Sequence, residues 1–140
     1  MLARLRGSLT ALLVGWVATR VLLVGALTGL IPYPDGPSIL NDVKLYSEWS
    51  SLLVTGRFPI GDDMWQYPPG AGVVFAIAAL LGSNPVAAFT LIALACDLAA
   101  LAVLTIAGRR RRVGLDAAWA WVVGGLLVGP VWLARFDVVP

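Results

Sequence analysis

Residues 86–112 read VAAFTLIALACDLAALAVLTIAGRRRR, and this stretch decides the class of the chain. Its apolar part, Val86 to Ala107, supplies the ~20 residues that a helix needs to cross a ~30 Å hydrocarbon core. The arginines that end it, Arg109, Arg110, Arg111 and Arg112, mark a cytoplasmic flank. The rest of the chain agrees. Of 140 residues, 59% are hydrophobic and 13% charged, with a mean hydropathy of +0.87, whereas soluble domains carry about 25% charged residues. This is the composition of a membrane chain.

Working outward toward the amino terminus, the apolar run 70–82 would rise only about 20 Å as a helix, too little to cross. Runs of this length are re-entrant or interfacial, and Pro68-Pro69 suits the first turn of such a helix. Before it, residues 32–69 are polar and are broken by Pro32, Pro34, Gly36, Pro37, Gly56, Pro59, Gly61, Pro68 and Pro69. Within that loop, Ile39 to Thr55 has helical periodicity in Leu40, Val43, Tyr46 and Leu53, with Asn41 or Ser38 to cap its start and Gly56 to end it. It is amphipathic and suited to the membrane surface. The first apolar run, 8–31, follows Arg4 and Arg6. It exceeds the 7–15 residues of a signal-peptide core and ends in Ile-Pro-Tyr-Pro without a small-residue cleavage motif, so it stays as a span. Toward the carboxyl terminus a third run, 115–134, leads to Arg135-Phe136-Asp137.

Charge tests the count. If 70–82 crossed, Arg109 to Arg112 would face the side opposite to Arg4 and Arg6, against the positive-inside rule. If it does not, all six arginines are cytoplasmic, and the outer loop has Asp35, Asp42, Glu48, Asp62 and Asp63 outnumbering Lys44 and Arg57. The expectation is an all-α integral membrane domain over residues 1–140. It has three transmembrane helices (8–31, 86–107, 115–134), a long outer loop (32–69) with an interfacial helix, and a short juxtamembrane or re-entrant helix (70–82). The amino terminus is cytoplasmic and the loop lies outside the cell membrane. A chain with no histidine and one cysteine, Cys96, excludes His-based triads, zinc sites and an intramolecular disulfide. The clustered arginines orient the chain in a bilayer rather than bind nucleic acid.

Arg20 and Asp97 fall near the middle of their spans. A charge there costs at least ~2.5–3.5 kcal/mol, so each needs a partner or an aqueous cavity. They either pair with each other between antiparallel spans or face other helices or water. If they pair, exchanging the two charges should rescue what each single change loses.

The outer loop is far longer than an ordinary connection, and such loops tend to be functional. Asp42 precedes Tyr46 by one helical turn and Trp49 by two, which places a carboxylate and two amphipathic rings on one face near the headgroups. That suits a sugar or lipid-phosphate ligand; equally, a first-turn acid stabilises the positive end of its helix. Arg135 and Asp137 lie on the same side as Asp42, which allows a carboxylate pair with an arginine for a phosphate; equally, the two are interface anchors. Asp62-Asp63 reads as a solvated acidic loop. Arg109 to Arg112 orient the chain or bind anionic lipid. Trp16, Trp119, Trp121 and Trp132 read as belt or packing residues, and Asp116 as a helix-start residue.

The order of motifs carries a resemblance. A first span, an outer loop with NDVKLY (Asn41 to Tyr46), then WQYPPGAGVVF (Trp65 to Phe75), a span ending in arginines, and RFDVVP (Arg135 to Pro140) together resemble the amino-terminal part of membrane glycosyltransferases of the GT-C superfamily. The nearest likeness is to the polyprenyl-phosphate-mannose-dependent alpha-mannosyltransferases. The resemblance implies transfer of a sugar from a polyprenyl-phosphate donor to a lipid-linked or polymeric acceptor on the outer face. Asp42 matches the family's essential loop aspartate, the general base. Tyr46, Trp65 and Tyr67 would shape the sugar or prenyl-phosphate pocket, and Arg135 would hold the phosphate. Asp137 would position the acceptor or join Asp42 at a divalent cation. Members of the superfamily have roughly ten or more spans, so the expectation is an amino-terminal fragment or truncated form, with further carboxyl-terminal helices as missing partners. The competing class is a non-catalytic three-span scaffold or assembly protein; a small transporter or channel subunit resting on Arg20 and Asp97 is a third.

Overall fold

The computed structural model describes residues 8–34 and 36–136. Arg4, Arg6, Asp35 and Asp137 lie outside the described residues. Those described are helical without a strand: α1 (Leu9–Leu27), α2 (Gly36–Ile39), α3 (Asn41–Leu53), α4 (Ala71–Leu81), α5 (Pro85–Arg110), α6 (Asp116–Val128) and a 3-10 turn (Pro130–Leu133). Helices α1 and α5 are long and apolar enough to cross a membrane. Only 28% and 33% of their most apolar windows are buried inside the fold. Most of their surface therefore faces outward, unlike the enclosed core helix of a soluble domain.

Local chemistry sets the helix ends. Ser8 caps α1, its Oγ accepting from the Ala11 N–H at 3.3 Å. Asn84 caps α5 in the same way through Ala87, with Pro85 in the first turn and Arg109 and Arg110 in the last, where cations complement the helix dipole. Helix α3 departs from expectation at its start. The cap position is Leu40, with no side-chain cap bond, and α2 precedes it. Asp42, in the first turn, leaves the helix its acidic complement. Helix α4 begins after Pro68-Pro69 and is too short to cross, as expected.

The third apolar run is not one continuous helix. Helix α6 stops at Val128, Gly129 takes φ +82°, and Pro130 opens the 3-10 turn. Proline has no N–H to continue the α-helical ladder, and the left-handed φ favours glycine. Helix α6 alone, about 20 Å long, falls short of a full crossing.

Two apolar layers result. Helices α1, α5 and α6 share a core of Leu12, Leu101, Leu115, Ala118 and Val122. Beyond it, Leu23 and Leu27 of α1 pack with Val43, Tyr46 and Trp49 of α3, Phe75 of α4, Phe89 and Ala93 of α5, and Leu133 and Ala134. Between the layers lies a charged knot. Arg20 donates from Nε to Asp97 Oδ2 and from Nη2 to Asp97 Oδ1, both at 2.8 Å, and from Nη1 to the Val122 carbonyl at 2.9 Å. Three indole N–H groups complete the carboxylate: Trp16 at 2.6 Å, Trp121 at 2.8 Å and Trp132 at 2.9 Å. Asp97 is 0% exposed and Arg20 3%. The expected pairing is present, and three residues read as belt or packing side chains instead supply its donors.

The knot constrains Gly125. A Cβ there would lie 2.6 Å from Arg20 Nη2, and the guanidinium is held by Asp97 and Val122, so it yields only by giving up those bonds. Gly125→Ala should cost about 1–3 kcal/mol by overpacking. A Cβ on neighbouring Gly124 meets nothing within 4 Å, so Gly124→Ala should be neutral or mildly stabilising through helix propensity. Thermal unfolding of both variants in mild detergent checks this; equal midpoints would contradict it.

Candidate functional site

Helix α3 and the segment after the 3-10 turn bring two predicted site residues together. Asp42 stands in the first turn of α3, and Arg135 follows buried Leu133 and Ala134, which root that segment in the outer core. Arg135 Nε lies 2.5 Å from Asp42 Oδ2, with side-chain exposures of 52% and 30%. The Oδ2 atom itself is buried and accepts no aligned hydrogen bond. The contact is thus charge against charge, held from one edge of the guanidinium.

Beside this pair sits a block of aromatic rings. Tyr46 stacks on Phe75 with centroids 4.7 Å apart, and Tyr67 meets Phe75 and Phe136 edge-on at 5.8 and 5.1 Å. Trp65 packs against Trp49 at 4.9 Å and reaches Tyr67 at 6.4 Å. The Tyr46 and Tyr67 hydroxyls share a hydrogen bond of 2.7 Å, and the Phe136 N–H donates to Tyr46 Oη at 3.4 Å. Burial and then the Tyr67 hydrogen bond push the Tyr46 phenol well above its usual range, and the Asp42 charge adds to this. Tyr46 is therefore a neutral hydroxyl at any physiological pH.

The geometry assigns different places to the expected pocket residues. Tyr46 is 2% exposed and Trp49 1%, so both rings are core, although Tyr46 borders a cavity of about 260 Å³ between α3, α4 and α5. Tyr67 and Trp65 are only partly buried. Asp62 and Asp63 lie in a loop, Asp63 exposed, and Asp62 has partners that the solvated-loop reading did not include. Its Oδ2 accepts from Trp49 Nε1 at 2.7 Å and its Oδ1 from the Met64 N–H at 2.9 Å. The carboxylate fastens the loop that follows α3 back onto that helix.

Those two donors, the Trp49 indole first, hold the Asp62 carboxyl below its ordinary value of 3.8. Because the folded value is the lower one, the tether is fully present above the ordinary value and is lost as pH falls through the folded one. A carboxyl ¹³C titration should give Asp62 a midpoint below 3.8, moving up toward that value in Trp49→Phe, in which the Met64 N–H remains. A midpoint at or above that value in the native chain would contradict the tether.

Sequence reasoning missed the indole donors to Asp97, although one signal was present. Trp16 precedes Arg20 by four positions and so lies on the same helix face. Trp121 and Trp132 gave no such sign, because their approach depends on how α6 and the 3-10 turn pack. For a divalent cation, the described residues contain no cluster of three His, Cys, Asp or Glu. Asp42 faces a guanidinium instead, and its suggested partner Asp137 is among the residues not described. No family model, curated protein or solved structure matches the chain.

Proposed function

We propose that this chain carries the outer-face site of a membrane sugar transferase similar to the GT-C superfamily, of the polyprenyl-phosphate-mannose-dependent type. The observation that supports the reading most is the Asp42–Arg135 ion pair. Two residues from distant parts of the chain, one expected as a base and one as a phosphate ligand, stand side by side. In the proposed reaction an acceptor hydroxyl attacks the anomeric carbon of the donor sugar. Asp42 takes the hydroxyl proton as the new C–O bond forms. The bond from the anomeric carbon to the phosphate oxygen breaks, its electron pair leaves with polyprenyl phosphate, and the configuration inverts. Arg135 neutralises the departing phosphate, and Tyr67 and Trp65 offer partly buried aromatic surface to sugar or prenyl groups.

The accompanying topology is three crossings with a cytoplasmic amino terminus, the third made by α6 and the 3-10 turn together. This places Asp42 and Arg135 on the outer side of the cell membrane. Sugar transfer from a polyprenyl-phosphate-linked donor, measured in membranes carrying the protein, tests the reading. Asp42→Asn should abolish transfer without changing abundance or insertion. Unchanged transfer in that variant would overturn the assignment and favour a non-catalytic scaffold.

A further inference from the structure

We infer that the Asp42–Arg135 pair is an anion-operated latch: an arriving phosphoryl group draws Arg135 off Asp42 and thereby frees the carboxylate. This rests on the reading of the two residues given above and adds the order in which they act. Four observations carry it. Arg135 touches Asp42 through Nε alone, and among the described residues no other acceptor engages its guanidinium. The Nη edge is therefore left for a second, bidentate partner, the geometry in which arginine holds phosphate best. The Arg135 side chain is 52% exposed, so a ligand can reach that edge. Asp42 Oδ2 has no aligned donor, so no directional bond resists the separation.

The fourth observation confines the movement. Leu133 and Ala134 are 0% exposed, and the Phe136 N–H is bonded to Tyr46 Oη. The backbone on both sides of Arg135 is held, so the side chain can swing while its Cα stays. The donor's phosphodiester carries one charge, as the carboxylate does, but it takes two N–H bonds of the guanidinium at once where Asp42 takes contact from Nε alone, so it wins the competition. In the resting state the carboxylate is neutralised and its Oδ2 is buried against Arg135; with phosphate bound, Oδ2 is open to accept a proton. That oxygen thus becomes available when the donor's phosphate is in place.

Competition is reciprocal, which makes the latch measurable without any sugar transfer. Binding of inorganic phosphate and of dodecyl phosphate would be followed by ³¹P NMR on the purified chain in maltoside micelles, which contain no phosphate. Removing the competitor in Asp42→Asn should tighten phosphate binding by up to about fivefold, the worth of an exposed ion pair. Arg135→Gln should abolish the binding, and Arg135→Lys, which keeps the charge without the fork, should weaken it. Glu48→Gln removes a charge from an exposed position of the same helix and should leave binding as it was. Tightening with both phosphates assigns the site to the phosphoryl group alone, and tightening with dodecyl phosphate only assigns it to a lipid phosphate; each supports the latch. Unchanged or weaker binding in Asp42→Asn overturns it, as does equal tightening in Glu48→Gln, which would mean diffuse attraction. Unchanged transfer activity in Asp42→Asn with these binding shifts intact would sink the enzyme reading and leave the latch standing.

Discussion

Asp97→Ala should be the most damaging single substitution in the molecule, destabilising it by about 3–5 kcal/mol, the usual cost of breaking a buried ion pair by removing one partner. The carboxylate is the shared acceptor for Arg20 and for three indoles that come from α1, α6 and the 3-10 turn. Its removal leaves a guanidinium that is 3% exposed without a counter-charge and three N–H donors without an acceptor. Asp97 and Arg20 are both buried, so the groups left without an acceptor keep their desolvation cost. The expected result in mild detergent is a large fall in the unfolding midpoint, or failure to recover monodisperse protein. A midpoint within a degree or two of the native chain would show that the knot contributes nothing to holding the helices.

The same geometry reverses an expectation drawn from pairing alone. Exchanging the two charges would rescue a simple ion pair, but here it would place a guanidinium at position 97 against Trp16, Trp121 and Trp132. A guanidinium has donors and no acceptor, so the three indoles would remain unsatisfied. The exchanged chain should be no more stable than either single variant. Replacing Arg20 and Asp97 together with leucine removes both charges and should cost less than Asp97→Ala alone.

The second large effect is expected at Asp42. Asp42→Asn changes one atom and keeps the size of the side chain, yet as loss of a general base it should lower sugar transfer by about 10²–10⁴-fold. The fold should barely notice. The Asp42 side chain is 30% exposed, and its ion pair with half-exposed Arg135 belongs to the class worth about 0–1 kcal/mol. Catalysis and stability therefore separate at this residue, whereas at Asp97 stability dominates. Transfer rate and unfolding midpoint, measured on the same preparation, distinguish the two behaviours. A parallel loss of midpoint and transfer in Asp42→Asn would mark it as a structural residue of the α3 start.

Much of the architecture was legible in the chain because it depends on local rules. Serine and asparagine caps, a proline pair before α4 and the basic end of α5 act within one helical turn of the residues they govern. The lengths of the apolar runs separate α1 and α5 from the short α4 by arithmetic on the rise per residue. The break at Gly129-Pro130 was also written in the sequence, but hydropathy does not register it, since glycine and proline inside an apolar run leave its mean almost unchanged. The Arg20–Asp97 pairing was legible as a need, since two midspan charges require partners, though not as a certainty.

The site divided in the same way. That Asp42 shares a helix face with Tyr46 follows from spacing alone. That Tyr46 is enclosed by Phe75, Phe89 and Tyr67, and is core before it is anything else, depends on how α4 and α5 lie against α3. Asp62 read as half of an exposed acidic dipeptide with Asp63, because its side-chain hydrogen-bond donor, Trp49, stands 13 positions away in α3.

The sequence by itself determined where the long apolar helices lie and where charge sits along them; it marked three runs as spans, of which two, α1 and α5, are helices long and apolar enough to cross a membrane. Those properties arise from residues within a few positions of one another. Only the tertiary structure decided what each polar group is bonded to. Asp97 gathers donors from three separate segments, and Arg135 reaches Asp42 from the far end of the described chain. In a low-dielectric interior the partner of a charge outweighs the charge itself, and no local pattern specifies that partner.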